Sequence, residues 1–222
     1  MKRTTVLSIF LCICAFAKTQ NTIEVKPYFY DEFKLGTVFF SEGTPVRARL
    51  NYNFVTQEMQ FLNHQNNDEI LNLVRTPKMT HIEIGSDIFV PVESRGFAHV
   101  IVDGPITLLQ KKRVFVEADR KGLYGTPTST AAVETPDNFF ERGLTGQRFT
   151  NFVFDTKTRT ELKLYFMKNN RVYTASRRNF LRLYSEIRPQ LEKYLSEHDV
   201  DFRNDEHLRG LTRFANNLLI AK

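Results

Sequence analysis

Across residues 35–63 apolar and polar side chains alternate so regularly that each segment can bury only one face. Val46, Ala48 and Leu50 alternate with Arg47, Arg49 and Asn51, and Met59 and Phe61 alternate with Glu58 and Gln60. A period of two belongs to a strand with one buried face, whereas a helix repeats at roughly 3.6. Thr37 to Phe40 is β-branched or aromatic, which suits a pleated surface. Gly43, within Ser41-Glu42-Gly43-Thr44, supplies the positive φ of a tight hairpin. A slip of one residue would turn every apolar side chain to water, so the pattern constrains register as well as face. Residues 35–63 are expected to form three consecutive antiparallel strands, continued by later segments of the same meander.

The rest of the chain extends this pattern and then abandons it. Residues 23–30 form a candidate first strand, which Pro27 confines to an edge. Further strands are expected at 70–74, at 79–84 and 88–92 around Gly85-Ser86-Asp87, and at 97–102. Asp103-Gly104 is a strong turn signal before 106–109, and Lys111-Lys112-Arg113 is expected to interrupt the chain before 114–116. Residues 122–147, rich in Gly, Pro, Thr and Ser, read as a long loop. Strands resume at 149–154 and 161–167, and Asn169-Asn170 turns the chain into 171–174.

From Ser176 the period becomes helical. Ser176 is expected to cap a helix bearing Phe180, Leu181, Leu183 and Tyr184. Ser185 would cap a second bearing Ile187, Leu191, Tyr194, Leu195 and His198. Asn204 or Asp205 would cap a third bearing Leu208, Leu211, Ala215, Leu218 and Leu219. Helices this short are marginal alone and must pack on the sheet. The expected class is α+β: an antiparallel β meander (sheet, sandwich or partly open barrel), then a hairpin and two or three short helices. The segments divide as 1–17, 18–121, 122–147, 148–175 and 176–222.

Residues 1–17 have the form of an export signal. Lys2 and Arg3 precede an apolar run, and Ala15-Phe16-Ala17 has the small-x-small form that a signal peptidase reads. Cleavage is expected after Ala17, leaving Lys18 first, with a site a few residues later as the alternative. The run falls short of the about 20 apolar residues that a spanning helix needs, and no transmembrane span is expected in the mature chain. Cys12 and Cys14 are the chain's two cysteines and follow Leu11 and Ile13, not the small residue of a lipidation motif. Once cleaved, the chain has no thiol for disulfides, nucleophilic catalysis or metal ligation. Removing Lys2 and Arg3 from 31 basic residues leaves 29 against 25 acidic, a net charge of +4. In an exported protein, whether periplasmic, outer-membrane-associated or secreted, this balance suits anionic envelope surfaces or acidic glycans better than nucleic acid.

Catalytic motifs are missing. There is no G-x-S-x-G, phosphate-binding loop or dinucleotide fingerprint. A calcium loop counted from Asp199 fails at Arg203, Asn204 and Gly210. The five histidines have no ligand spacing, although His81 and His99 could meet across strands. No cofactor is implied.

Basic clusters are the candidate binding residues: Lys111, Lys112 and Arg113, and then Arg171, Arg177, Arg178 and Arg182, with Tyr165, Tyr173 and Tyr184 among them. They read either as a groove for an anionic ligand, gripped by guanidinium forks, or as solvated faces balanced by Glu161, Glu186 and Glu192.

Several motifs give the chain a wider likeness. These are Gly36-Thr37-Val38 followed by Gly43-Thr44, N-Y-N-x-x-x-x-E-M-x-F from Asn51 to Phe61, and I-x-I-G-x-x-x-F-V from Ile82 to Val90. Gly96-Phe97 with Val100, and the helical stretches around Phe180-Leu181 and Tyr194-Leu195, complete the set. In these the chain resembles a family of uncharacterised exported proteins common in Bacteroidota. The resemblance implies an envelope protein and no activity, and its motifs are turn and core residues. The leading expectation is a non-catalytic protein-interaction module with an envelope protein partner; the alternative is a binding module for an anionic glycan, lipid headgroup or other small ligand. An enzyme has no motif to support it. Amino-terminal sequencing of the exported protein is expected to begin at Lys18, and an intact Met1 start would remove the export reading.

Overall fold

A computed structural model describes residues 26–92, 96–118 and 156–221. The expected signal, its Ala17–Lys18 junction, the 122–147 loop and the 149–154 strand lie outside these residues. Among the described residues the strands are β1 (Lys34–Phe40), β2 (Val46–Asn53), β3 (Glu58–Asn63), β4 (Glu69–Asn72), β5 (Met79–Ile84), β6 (Asp87–Pro91), β7 (Phe97–Val102), β8 (Thr107–Ala118), β9 (Thr156–Lys168) and β10 (Arg171–Thr174). They form one antiparallel sheet in the order β10-β9-β8-β7-β6-β5-β1-β2-β3-β4. Helices α1 (Arg177–Leu183), α2 (Arg188–Glu197) and α3 (Asp205–Ile220) follow, with a 3₁₀ turn at Ser185–Ile187. The α+β class is as expected. Among the described residues, no helix is long and apolar enough to cross a membrane.

Four local expectations are corrected. The meander does not continue from β4, because β5 returns to the far side of β1 and pairs Ile82 with Val38. Alternation fixes which face a strand buries, but not its neighbour. Residues 23–30 do not supply a first strand in their described part. Tyr28 makes only an isolated bridge to Asn53, and the Asn51 carboxamide holds the backbone of Tyr30 and Glu32 instead. Lys111-Lys112-Arg113 is no interruption, since it lies inside β8, where the long ladder to β9 outweighs the low strand propensity of lysine. Ser185 opens the 3₁₀ turn, and α2 begins at Arg188 with Pro189 in its first turn. The caps at Ser176 and Asn204 are as read: each side-chain oxygen accepts from the backbone N–H three residues on.

One face of the sheet carries two apolar cores, and a smaller one of Val90, Val92, Ala98 and Leu109 lies on the other face. Val38, Leu50, Tyr52, Met59, Ile82, Phe89 and Phe97 form the first. It exists because the sheet curls without closing. The β2–β3 turn reaches β8, where Phe54 O accepts from Val114 N at 3.0 Å and Gln57 Nε2 donates to Lys112 O at 2.8 Å. That approach needs Gly96, which has φ +78° and where a Cβ would strike the Gln57 carbonyl oxygen. The second core joins Leu108, Leu164 and Phe166 to Phe180, Tyr184, Leu191, Leu208 and Leu211 of the helical region.

Asn216 fastens α3 to the sheet. Its Nδ2 donates to Ile106 O at 2.9 Å, and its Oδ1 accepts from Ile106 N at 3.3 Å and from Tyr184 Oη at 2.8 Å. The carboxamide thus imitates a neighbouring strand at a buried backbone position. Asn216→Ala is expected to cost about 2–4 kcal/mol in urea denaturation, because buried polar partners are left unsatisfied; a loss under about 0.5 kcal/mol would show that water replaces the side chain.

Candidate functional site

Register carries one row of residues across the inner, core-bearing face: Phe89 beside His99, His99 beside Gln110, Gln110 beside Leu164. His99 and Gln110 make a polar seam between the two cores. His99 Nε2 donates to Asp87 Oδ1 at 2.9 Å, and the Tyr30 hydroxyl donates to Asp87 Oδ2 at 2.6 Å. From α3, Asp205 accepts from Gln110 at 3.4 Å and lies 3.5 Å from Arg209 Nε, while Arg209 also donates to Ile101 O at 3.3 Å. Phe29 packs edge-on against both Phe89 and His99.

The electrostatics of the seam favour neutral forms. Burial pushes the His99 pKa down, against the raising influence of Asp87, and the positive charge of Arg209 pushes the same way as burial. The geometric ion pair with Asp87 is therefore, near neutral pH, a hydrogen bond from a neutral imidazole. Burial raises the Tyr30 pKa far above the usual phenol range, and its bond to the Asp87 carboxylate adds to this. Asp87 accepts one donor on each carboxylate oxygen, so Tyr30, Asp87 and His99 hold residues 28–33 on the sheet. His81 does not meet His99: it lies on β5, stacked on Phe39 and 3.3 Å from Glu83.

The outer face of β8 and β9 is different. Lys111 lies beside Lys163, Arg113 beside Glu161 and Phe115 beside Arg159. The guanidinium carbons of Arg113 and Arg159 sit 4.6 Å and 4.4 Å from the Phe115 ring centroid. Burial lowers the Lys111 pKa, and the charges of Arg113 and Lys163 lower it further. Glu161 bridges Lys163 at 3.3 Å and lies beside Arg113 in the register.

The predicted basic residues divide between the two faces. Lys111 and Arg113 belong to the outer cluster, whereas Lys112 points inward with its ammonium 4.6 Å from the Phe54 ring centroid. Arg171, Arg177, Arg178 and Arg182 are exposed on β10 and α1, and the helices pack on the inner face, away from Lys111. Arg182 stacks on Tyr173. Arg177 lines an open cleft of about 380 Å³ with Glu197, His198, Asp199 and Phe202, where an anion would meet two carboxylates. The basic residues read from the sequence therefore lie in separate places: Lys111 and Arg113 on the outer face, Lys112 on the inner face, and the four arginines on β10 and α1.

Arg159 and Lys163 were missed, although T-K-T-R-T-E-L-K alternates charge with Thr and Leu over 156–163. Tyr30, Asp87 and His99 had no local signal, because three separate segments supply them. Comparison with protein-family models, curated proteins and solved structures returns no match.

The sign of the His99 effect follows from its lowered pKa. Its unfolded value is about 6.5, so as pH falls the unfolded chain takes the proton first. The contribution to stability is complete above about pH 6.5 and is lost as pH drops towards the folded value. His99→Gln, which keeps an N–H donor, is expected to flatten this arm in urea melts between neutral and mildly acidic pH. An NMR titration placing the His99 pKa above that of a free histidine would reverse the assignment.

Proposed function

We propose that this chain is a non-catalytic binding module of an exported envelope protein, taking anionic groups on the outer face of β8 and β9. The observation that carries the reading is the meeting of Lys111, Arg113, Arg159 and Lys163 on one face of two adjacent strands. The lowered pKa of Lys111 expresses the same charge crowding, after burial. An anion docked there would relieve this repulsion, and Arg113 and Arg159, each resting on Phe115, present forks suited to phosphate, sulfate or carboxylate oxygens. The net positive charge and the export signal read from the sequence agree with an anionic envelope ligand.

Such groups are carried by acidic glycans and by anionic lipid headgroups. Purified protein is tested in separate arms, against vesicles containing phosphatidylglycerol and against a soluble acidic polysaccharide. Binding is expected in one arm, weakening with salt, and Lys111→Gln with Arg159→Gln is expected to weaken it roughly tenfold. No binding in either arm at low ionic strength, or binding that ignores both substitutions, would refute the reading. A second reading, contact with another protein, has its own observation in the outer edge of β9.

A further inference from the structure

β9 is longer than the strand that covers it. β10 pairs with β9 only from Tyr165 to Lys168, and Ala175 N closes the ladder on Leu164 O at 3.0 Å. Among the described residues no strand pairs with the outer edge of β9 from Thr156 to Lys163. The chain leaves for α1 at Ser176, so among the described residues a notch remains beside β9 in which another strand fits.

Backbone parity says which groups face that notch. In an antiparallel ladder a residue's N–H and C=O point to the same side, and the side alternates along the strand. Leu164 O points outward to Ala175, so Leu162, Thr160 and Thr158 also direct their N–H and C=O outward. On β8, Val114 N donates away from β9, to Phe54 O, as expected for the residue opposite Thr160. Among the described residues this edge is thus a row of unpaired donors and acceptors centred near Thr160, of the kind that invites strand addition.

The side chains then select the partner. We infer that two copies of this chain pair antiparallel along the outer edge of β9, about a two-fold axis at Thr160, so that the sheet continues from one copy into the other. Thr160 would exchange both hydrogen bonds with Thr160 of the second copy, and Thr158 with Leu162. On the outer face this register sets Arg159 opposite Glu161 and, by symmetry, Glu161 opposite Arg159. Glu161 already lies beside Arg113 of its own sheet, so positive and negative groups would alternate across the junction. On the inner face, Leu162, 42 % exposed, would be covered.

Other registers fit less well. A centre at Glu161 opposes Glu161 to itself and Arg159 to Lys163. A centre at Leu162 pairs Glu161 with Lys163 but needs the outward bonds of Leu164, which Ala175 already uses. An isologous contact of this kind closes on itself and gives a dimer, not a filament.

Sedimentation velocity over a concentration series tests the inference on the purified protein. A reversible dimer is expected. Glu161→Arg, which sets arginine against arginine twice, should raise its dissociation constant roughly tenfold. Arg159→Glu combined with Glu161→Arg restores opposite charges across the axis and should recover most of that loss. Thr160→Pro removes the central outward N–H without breaking a bond to β8, and should give a monomer with an unchanged circular dichroism spectrum. A monomer at every concentration, or a dimer indifferent to the Glu161→Arg and Thr160→Pro changes, would overturn the pairing. Glu161→Arg separates this inference from the anion-binding reading: it makes the outer face more basic, so anion binding should hold or strengthen while the dimer weakens.

Discussion

The ladder between β8 and β9 is the interaction on which the other features depend. Its register, from Thr107 beside Met167 to Ala118 beside Thr156, assigns the side chains of 107–115 and 159–167 to a face. Because successive residues point to opposite sides, the inner face receives Leu108, Leu164 and Phe166, the platform for the helices. The outer face receives Lys111, Arg113, Phe115, Arg159, Glu161 and Lys163. A shift of one residue would exchange these sets, burying cations under α1 and α3 and exposing the platform. The same alternation leaves every second peptide group of β9 facing outward, so the core and the open edge share one cause.

An open sheet of ten strands has more inner face than three short helices can cover. The structure meets this by covering the two halves differently. Near β7, β8 and β9 the helices supply the second layer, fastened by Asn216 and filled by Phe180 and Tyr184. Elsewhere the sheet curls onto itself, and residues 28–33 with the β2–β3 turn close the gap, helped by the absence of a side chain at Gly96. Where the two arrangements meet, neither is wholly apolar, and Tyr30, Asp87, His99, Gln110, Asp205 and Arg209 fill the seam with satisfied hydrogen bonds. This explains how a polar cluster can sit beside a core: the carboxylates of Asp87 and Asp205 accept from donors within the fold.

Binding on the outer face and pairing along the β9 edge are compatible. An edge strand rich in charge is guarded against indiscriminate addition, because an incoming strand must match its pattern of signs. β9 offers Arg159, Glu161 and Lys163 on one row, a pattern that a copy of itself can match about Thr160. Paired in that way, two outer faces would lie side by side and present both sets of Lys111 and Arg113 to a ligand carrying several negative charges, a geometry that gains from multivalency.

By itself the sequence determined the strands around β2, β3, β5 and β7, the turns at Gly85 and Asp103-Gly104, the caps at Ser176 and Asn204, and the helical ending. Each follows from residues near one another in the chain, through period, cap chemistry or the backbone freedom of glycine. The tertiary structure alone decided that β5 lies beside β1, that Lys111-Lys112-Arg113 runs within a long strand, and that Lys111 and Lys112 part to opposite faces. It also brought Arg159 and Lys163 beside Arg113 and Lys111, and joined Tyr30, Asp87 and His99. Those outcomes depend on which strand pairs with which. That choice rests on the summed burial of a whole sheet face, and no single segment of the chain encodes it.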